Sequence, residues 1–110
     1  MNIQIFGKSK CFDTKKAQRY FKERGVKFQD IDMKQYGMSR GEFTSVLKAV
    51  GLEKLIDEKA PGADQLPYLA YEADREERVF DDQRLIRTPI VRNGKKATVG
   101  YCPDVWKTWE

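Results

Sequence analysis

Cys11 is the residue whose type and surroundings best suit chemistry at neutral pH. It follows a short apolar segment, residues 3–6, and precedes a segment with helical periodicity, so its thiol should face the free amides of a helix N-terminus. These amides, with Lys8, Lys10 and Lys15 nearby, should stabilise a thiolate and lower the pKa below the free value of about 8.5. The alternative is a small buried cysteine that only fills space, but the polar neighbours favour a reactive thiol.

The residue types that are missing exclude several other chemistries. The chain of 110 residues has no histidine, which excludes Ser-His and Cys-His nucleophilic pairs and a histidine general base. Two cysteines without histidine cannot build an ordinary structural zinc site, so we expect no metal and no bound cofactor. The sequence also has no glycine-rich phosphate-binding loop. A thiol enzyme of this composition must lower the pKa of its cysteine with backbone amides and cationic side chains alone.

Charge is distributed unevenly along the chain, although the formal net charge is only +4. Residues 8–27 are predominantly basic and residues 72–82 are predominantly acidic. Either segment can be a solvated helix face, or the basic one can attract anions to Cys11.

No apolar run approaches the roughly 18 residues of a membrane span, and the first residues lack a signal-peptide pattern. We therefore expect a cytoplasmic protein with free thiols, without membrane contact and without direct nucleic-acid binding.

The first elements predict a βαβ unit with the cysteine at its first strand–helix junction. An apolar segment over residues 3–6 indicates the first strand, and residues 13–24 have a helical pattern. Asp13 and Thr14 are candidates for the N-cap of this helix. Residues 26–31 indicate a second strand, which should pair parallel with the first because a helix connects them.

A helical insertion should follow, over about residues 39–82. It begins with a capping-box pattern formed by Ser39 and Glu42. Two further helical segments are predicted over 52–59 and over 69–82. The sequence contains no internal repeat and no low-complexity tract, so all 110 residues are expected to form one domain.

The last part of the chain predicts a ββα unit. Residues 90–91 begin a strand, Asn93-Gly94 is a two-residue hairpin signal, and residues 97–99 return as the partner strand. A final helix begins at Pro103. The order βαβ, helical insertion, ββα predicts an α/β protein with a four-stranded mixed sheet, as in the thioredoxin-like fold.

Three motifs match one known family in order and spacing. Residues 7–17, with the sequence GKSKCFDTKKA, are similar to an active-site loop that contains a single catalytic cysteine. Residues 85–91, LIRTPIV, are similar to an Arg-Pro-Ile-Val segment, and residues 99–101, VGY, to a Gly-Tyr pair that precedes the last helix. Together, over essentially the whole chain, they resemble the arsenate reductase ArsC/Spx-like family of thioredoxin-fold proteins.

The resemblance implies a role for each matching residue. Cys11 corresponds to the catalytic cysteine, and Thr14 to a Ser/Thr/Cys position that makes this a monothiol loop. Lys15 corresponds to a basic residue that helps to hold an anion or a thiolate. Pro89 corresponds to a proline that is expected to be cis and to lie opposite the active-site loop. The remaining residues of the expected anion-binding set are Lys8, Lys10 and Arg87.

Departures from the family pattern argue against efficient arsenate reduction. The position immediately before the proline, where the family has an arginine, is occupied by Thr88. Arg87 is one position earlier, and because side chains alternate along a strand, it is expected on the other face. A second arginine, before the last helix, is replaced by Cys102, and a third has no counterpart near residues 57–59. Losing these cations removes the charge-assisted bonds of an oxyanion site.

The resemblance leaves two classes of function open. The leading hypothesis is an ArsC-like thiol oxidoreductase in which Cys11 is the nucleophile and glutathione or glutaredoxin restores it. The alternative is an Spx-like redox-responsive regulator that binds the RNA polymerase α subunit through its acidic residues 72–82 and does no catalysis. A third possibility is a protein of the same fold whose thiol has no function.

Cys102 is either a resolving cysteine or one that falls at a helix start by chance. We expect it to face the same cleft as Cys11 without bonding to it in the resting state.

Overall fold

The computed structural model describes residues 1–109 and arranges them around a four-stranded mixed sheet; Glu110, the last residue of the predicted domain, lies outside this range. The sheet has the spatial order β2-β1-β3-β4. β1 pairs parallel with β2 and antiparallel with β3, which pairs antiparallel with β4. The predicted α/β thioredoxin-like fold is therefore confirmed. The strands are β1 (Ile3–Gly7), β2 (Phe28–Asp32), β3 (Ile90–Asn93) and β4 (Lys96–Val99).

Within residues 1–109, five α-helices cover the sheet. Three of them form the insertion between β2 and β3, and the other two follow β1 and β4. The helices are α1 (Phe12–Glu23), α2 (Arg40–Val50), α3 (Leu52–Leu55), α4 (Glu72–Asp81) and α5 (Pro103–Trp106), with 3₁₀ helices over Ala63–Tyr68, Gln83–Leu85 and Lys107–Trp109. None of the helices in this range combines the length and apolar character needed to span a bilayer.

Side chains of β1 alternate between two hydrophobic cores, one on each face of the sheet. Ile3 and Ile5 pack in the core formed with α1 and α5, whereas Phe6 packs in the core formed with the helical insertion. Trp106 fills the first core and is fully buried, with its ring centroid 5.1 Å from that of Tyr20. Because β1 is packed from both sides, the loop that follows it starts from a fixed strand end.

A polar network attaches α2 to the sheet. Gln4 on β1 donates to the Glu42 carboxylate at 3.0 Å and accepts from Arg92 on β3 at 2.6 Å. Glu42 also completes the predicted capping box with Ser39, which is confirmed. Burial raises the pKa of Glu42, but hydrogen bonds from Ser39 and Gln4 outweigh this effect, so the pKa lies below its ordinary value.

The helix predicted over residues 52–59 is wrong beyond Leu55. Ile56 leaves the helix and pairs with Ile86 in an isolated antiparallel bridge. The Arg87 amide then donates to the Leu55 carbonyl at 2.7 Å. These contacts between distant segments replace the next helical hydrogen bonds, so the residues after the bridge form a turn instead of a further helical turn.

Two other boundaries differ from the prediction by a few residues. α4 begins three residues later than expected, at Glu72, because the backbone is extended at Leu69 and at Tyr71, between the end of the 3₁₀ helix and α4. The two-residue hairpin loop is Gly94-Lys95 instead of Asn93-Gly94, since Asn93 pairs with Lys96 across the strands. Gly94 has a φ of 61°, a backbone conformation that favours glycine.

The hydrogen bond between Trp106 and Thr98 tests the first core. Trp106 Nε1 donates to Thr98 Oγ1 at 2.8 Å, and both side chains are buried. Thr98→Val leaves the indole N–H without this acceptor, so we expect the free energy of unfolding to fall by about 1–3 kcal/mol. Urea denaturation at neutral pH measures the change, with Thr44→Val on the exposed face of α2 as the matched control. Equal stability of the two variants would contradict this assignment.

Candidate thiol site

Cys11 is the N-cap residue of α1 and ends the loop of residues 8–11, the cysteine loop. Its backbone is extended, with φ −89° and ψ 116°, and within residues 1–109 its side chain makes no capping bond. The predicted caps Asp13 and Thr14 are therefore wrong, because both residues lie inside the helix. The first amides of a helix lack an intrahelical partner, and those of Thr14 and Asp13 favour the thiolate form of Cys11 and so help to lower its pKa.

Hydrogen bonds lower the pKa of Cys11 below its ordinary value. Partial burial of the thiol raises the pKa, but hydrogen bonding of the thiolate form by the Thr14 and Thr88 side chains and by the amides of Thr14 and Asp13 outweighs burial. In its protonated form the thiol donates to the Thr88 carbonyl at 3.5 Å. The predicted direction of the pKa shift is thus confirmed. The helix amides contribute to it as predicted, whereas the two threonine side chains take the part that the sequence assigned to the lysine charges.

Thr14 joins the cysteine loop to α1. Its hydroxyl accepts from the Lys8 amide at 3.4 Å and bonds to the Cys11 sulfur. The side chain is buried directly against Gly7, the last residue of β1. A Cβ at residue 7 would overlap the Thr14 side chain, so glycine at this position allows Thr14 to reach both of its partners.

Cys11 opens into a cleft of about 660 Å³, the thiol cleft. Four cationic and three acidic side chains surround it, so its lining is of mixed charge. The cysteine loop and the start of α1 form one side, and the turn after the Ile56 bridge contributes to its rim. The lining residues are Lys8, Lys10, Cys11, Asp13, Asp57, Glu58, Lys59, Arg87, Thr88, Val99 and Gly100.

The acidic part of the cleft, Asp57 and Glu58, is the feature that sequence reasoning missed. The sequence placed both residues near the end of the helix predicted over 52–59 and gave neither a role in the site. The structure turns the chain after Ile56, and the Asp57 carboxylate accepts from the Lys59 amide at 3.0 Å. This Asx turn is the local signal that could have predicted the turn, because Asp favours such bonds to its own backbone two residues on.

Two predicted cations, Lys10 and Arg87, line the thiol cleft. Arg87 Nε donates to the Ile56 carbonyl at 2.9 Å, which anchors the guanidinium at the rim. Arg87 lies before β3, whose first residue is Ile90. The strand alternation that was expected to turn Arg87 away therefore does not apply.

The other predicted cations, Lys8 and Lys15, are placed differently. Lys8 lines the cleft, but its ammonium donates to the Arg84 carbonyl at 3.4 Å. Lys15 is exposed and lines a second pocket, together with Asp30 and Asp32. The structure thus brings Lys8 to the edge of the thiol cleft and holds Lys15 beside a different pocket.

The wall of the cleft opposite the cysteine loop is formed by Thr88 with Val99 and Gly100. The Thr88–Pro89 peptide bond is cis, as predicted. Pro89 is buried, and its carbonyl accepts from the Gly100 amide at 2.8 Å. This bond ties the segment before β3 to the segment after β4, so the two ends of the hairpin share one wall.

Among the described residues, the cleft lining does not include Cys102, and the expectation that it faces the Cys11 cleft stays a prediction. Its thiol donates to the Val99 carbonyl at 3.2 Å, and its side chain packs against the core that contains Trp106. Burial raises its pKa above the ordinary value, and the charge of Asp13 raises it further. Both cysteines are free thiols in the described chain. Cys102 is therefore the poorer nucleophile of the two.

The arrangement at Cys11 suits thiol–disulfide exchange. A thiol of lowered pKa that opens into a cleft can attack a disulfide sulfur. An oxyanion is less well accommodated, because Asp57 and Glu58 add negative charge to the same cleft. Among residues 1–109, no group of three or more His, Cys, Asp or Glu side chains could hold a metal ion.

Removal of the Thr14 hydroxyl tests the origin of the lowered pKa. In Thr14→Val we expect the pKa of Cys11 to rise, because the largest single hydrogen bond that lowers it is lost. Since the thiolate is the nucleophile, the pH midpoint of Cys11 alkylation by iodoacetamide should move upward, whereas Thr14→Ser should keep it low. In the unaltered protein the Cys11 midpoint should lie below that of Cys102. Equal midpoints for the two cysteines would contradict the proposed tuning.

Comparison with known proteins connects this site to a family. The model of the ArsC family matches residues 6–109, a range that includes the cysteine loop. The global transcriptional regulator Spx 2 of Oceanobacillus iheyensis is 25% identical over 113 residues, which cover 94% of this chain and 80% of that protein. Sequence similarity therefore extends across the sheet, the insertion and the thiol site.

Solved structures show the same fold at lower sequence identity. An ArsC-family-related protein of Bacteroides fragilis is 15% identical with a TM-score of 0.83, over 100% of this chain and 98% of the other. The arsenate reductase of Vibrio cholerae is 19% identical with a TM-score of 0.81, over 96% of this chain and 94% of the other. Since the family model matches nearly the whole described chain, this protein belongs to the ArsC family, which joins thiol oxidoreductase-like and Spx-like members.

Proposed function

We propose that this protein is a monothiol oxidoreductase in which Cys11 exchanges disulfides and glutathione or a glutaredoxin restores the free thiol. The observation that carries the proposal is the Cys11 thiol, whose pKa is lowered by hydrogen bonds at the mouth of an open cleft. A lowered pKa increases the fraction of thiolate at neutral pH, and the thiolate is the nucleophilic form.

The reaction is a sequence of thiol–disulfide exchanges. The Cys11 thiolate attacks one sulfur of a disulfide, a bond forms between the two sulfurs, and the other half leaves as a thiolate that takes up a proton. A glutathione thiolate then displaces the bound half and leaves Cys11 joined to glutathione. A second glutathione releases Cys11 and forms glutathione disulfide. Two glutathione thiols are oxidised for each substrate disulfide reduced, so the electrons balance.

The surrounding residues have distinct roles in this proposal. The hydroxyls of Thr14 and Thr88 stabilise the Cys11 thiolate both as nucleophile and as leaving group, since a thiol of lower pKa leaves faster. Lys10 and Arg87 bind the carboxylates of glutathione. Lys15 lies beside the second pocket and acts only through the positive potential around the loop.

The wall residues complete the proposed site. Thr88 forms the surface against which the substrate disulfide lies, facing the Cys11 sulfur, and the buried Pro89 supports this wall from behind through its bond to the Gly100 amide. Lys8 is held toward the Arg84 carbonyl and contributes positive charge at the edge of the cleft. Arsenate reduction is not part of the proposal, because Arg87 is the one arginine in the described cleft lining, where the family pattern has three, and the lining contains carboxylates as well.

Trapping of the glutathione adduct tests the monothiol mechanism. After mild treatment with peroxide and glutathione, we expect a mixed disulfide on Cys11 as the main product, observed as one added glutathione by intact-mass spectrometry. Cys11→Ser should lose the adduct, and Cys102→Ser should retain it because the Cys102 thiol is turned toward the core. An internal bridge between Cys11 and Cys102 as the main product would refute the mechanism and assign Cys102 as a resolving cysteine.

Turnover distinguishes an enzyme from an idle thiol. With glutathione and hydroxyethyl disulfide as substrates, the unaltered protein should accelerate glutathione oxidation, and Cys11→Ser should not. Cys102→Ser serves as the control for a general effect of cysteine removal. Replacing the disulfide by arsenate should give little oxidation, because of the carboxylates in the cleft. No acceleration with any disulfide would show that Cys11 is idle.

A second candidate function, an Spx-like regulator without catalysis, is supported by the similarity to Spx 2 and by the acidic face around α4. Two carboxylates of residues 72–82, Glu77 and Asp82, form ion pairs with arginines at 2.7 and 2.8 Å. Glu72 and Asp74, in the first turn of α4, are exposed and could contact a basic surface on the RNA polymerase α subunit.

Charge reversal on α4 tests the regulator. If the second candidate is correct, the unaltered protein should co-purify with the RNA polymerase α subunit, and Glu72→Lys with Asp74→Lys should lose most of this binding through like-charge repulsion. Glu23→Lys, an exposed charge reversal at the end of α1, is the matched control. Absence of binding together with disulfide turnover would favour the oxidoreductase.

A further inference from the structure

An apolar groove of about 390 Å³ lies next to the thiol cleft. Ile56, Leu66 and Pro67 give it apolar walls, and Glu53 and Glu58 give it negative charge. The groove belongs entirely to the helical insertion, in the region where α3 ends and the 3₁₀ helix before α4 passes it. The thiol chemistry described above does not use it.

The groove adjoins the thiol cleft. Glu58 lines both spaces. Arg87, which lines the cleft, also donates to the carbonyl of Ile56, which lines the groove, at 2.9 Å. The groove is therefore the neighbouring space into which a ligand bonded to Cys11 would extend past Glu58.

The charges at the groove favour a basic ligand. Among residues 1–109, the ion pairs of the structure involve neither Glu53 nor Glu58, so both carboxylates are available to a ligand. The groove also contains Arg75, but this guanidinium donates to the backbone carbonyl of Leu69 at 2.6 Å. The two carboxylates are therefore the charged groups most accessible to a molecule in the groove.

Two exposed aromatic side chains follow the groove residue Pro67 in the chain. Tyr68 is 89% exposed and Tyr71 is 73% exposed. Core packing does not require either ring, because both are largely in solvent. Tyrosine is enriched at protein interfaces, where its ring supplies contact area and its hydroxyl a hydrogen bond.

We propose that the thiol cleft and the groove together bind a polypeptide disulfide, in which the cysteine attacked by Cys11 has basic and apolar residues beside it. The basic residue lies against Glu58 and Glu53, and the apolar residue contacts Ile56 and Pro67. This inference rests on the proposed function, because it names the class of disulfide that Cys11 reduces. The exchange itself is unchanged: a bond forms between Cys11 and the peptide sulfur, and the second peptide leaves as a thiol.

Two symmetric peptide disulfides test the inference. Each peptide contains one cysteine with a charged residue directly on either side of it and a leucine beyond each charged residue. The charged residue is lysine in one peptide and glutamate in the other. The second-order rate of exchange with Cys11 is measured by release of peptide thiol. Each rate is divided by the rate of the same peptide with free glutathione, which removes the intrinsic difference between the peptides.

For the unaltered protein, we expect the lysine peptide to react roughly three- to fivefold faster than the glutamate peptide after this correction. Glu53→Lys, which changes the groove but not the cleft lining, should lower this ratio toward one or below it. Glu23→Lys makes the same charge change on α1 and should leave the ratio unchanged. Because the ratio compares two rates of one variant, any general effect on Cys11 cancels.

The remaining outcomes separate this inference from the proposed function. If both peptides and hydroxyethyl disulfide react but the corrected ratio is about one, the groove does not bind the substrate, although Cys11 still exchanges disulfides. If Glu23→Lys lowers the ratio as much as Glu53→Lys does, the preference comes from overall charge and the groove is again excluded. If no disulfide reacts at all, the proposed function fails, and the inference fails with it.

Discussion

The contact between Gly7 and Thr14 is the constraint on which the thiol site depends. Gly7 ends a strand that is paired on both sides, and its missing Cβ leaves room for the Thr14 side chain. From that position one hydroxyl bonds to both the Lys8 amide and the Cys11 sulfur. The shape of the cysteine loop and the acidity of its thiol are therefore set by the same side chain and cannot change independently.

Each segment around the cleft is held by a different part of the fold. The βαβ half supplies the cysteine loop, the ββα half supplies the wall at Thr88 and Gly100, and the insertion supplies the acidic rim at Asp57 and Glu58. The polar network centred on Gln4 holds the insertion to the sheet. The chemistry of Cys11 thus uses the geometry of a thioredoxin-like sheet, whereas the insertion supplies two of the three carboxylates that line the cleft.

Local patterns were sufficient to predict most of the fold and the position of the reactive cysteine. The capping box at Ser39 and the hairpin near Gly94 depend on residues close together in sequence, and both are present. The turn after Ile56 could not be predicted in the same way, because it depends on pairing with Ile86, a residue distant in the chain. The direction in which Lys15 points was equally inaccessible, since proximity in sequence to Cys11 does not determine which pocket a helical side chain lines.

The position of Cys102 determines how Cys11 responds to excess oxidant. Peroxide converts a thiolate to a sulfenic acid, which a second thiol can capture before it becomes an irreversible sulfinic acid. The Cys102 thiol donates to the Val99 carbonyl and burial raises its pKa, so little of it is in the nucleophilic thiolate form that this capture needs. Thiols from the surrounding solution, which reach Cys11 through the open cleft, are therefore better suited to protect it from overoxidation.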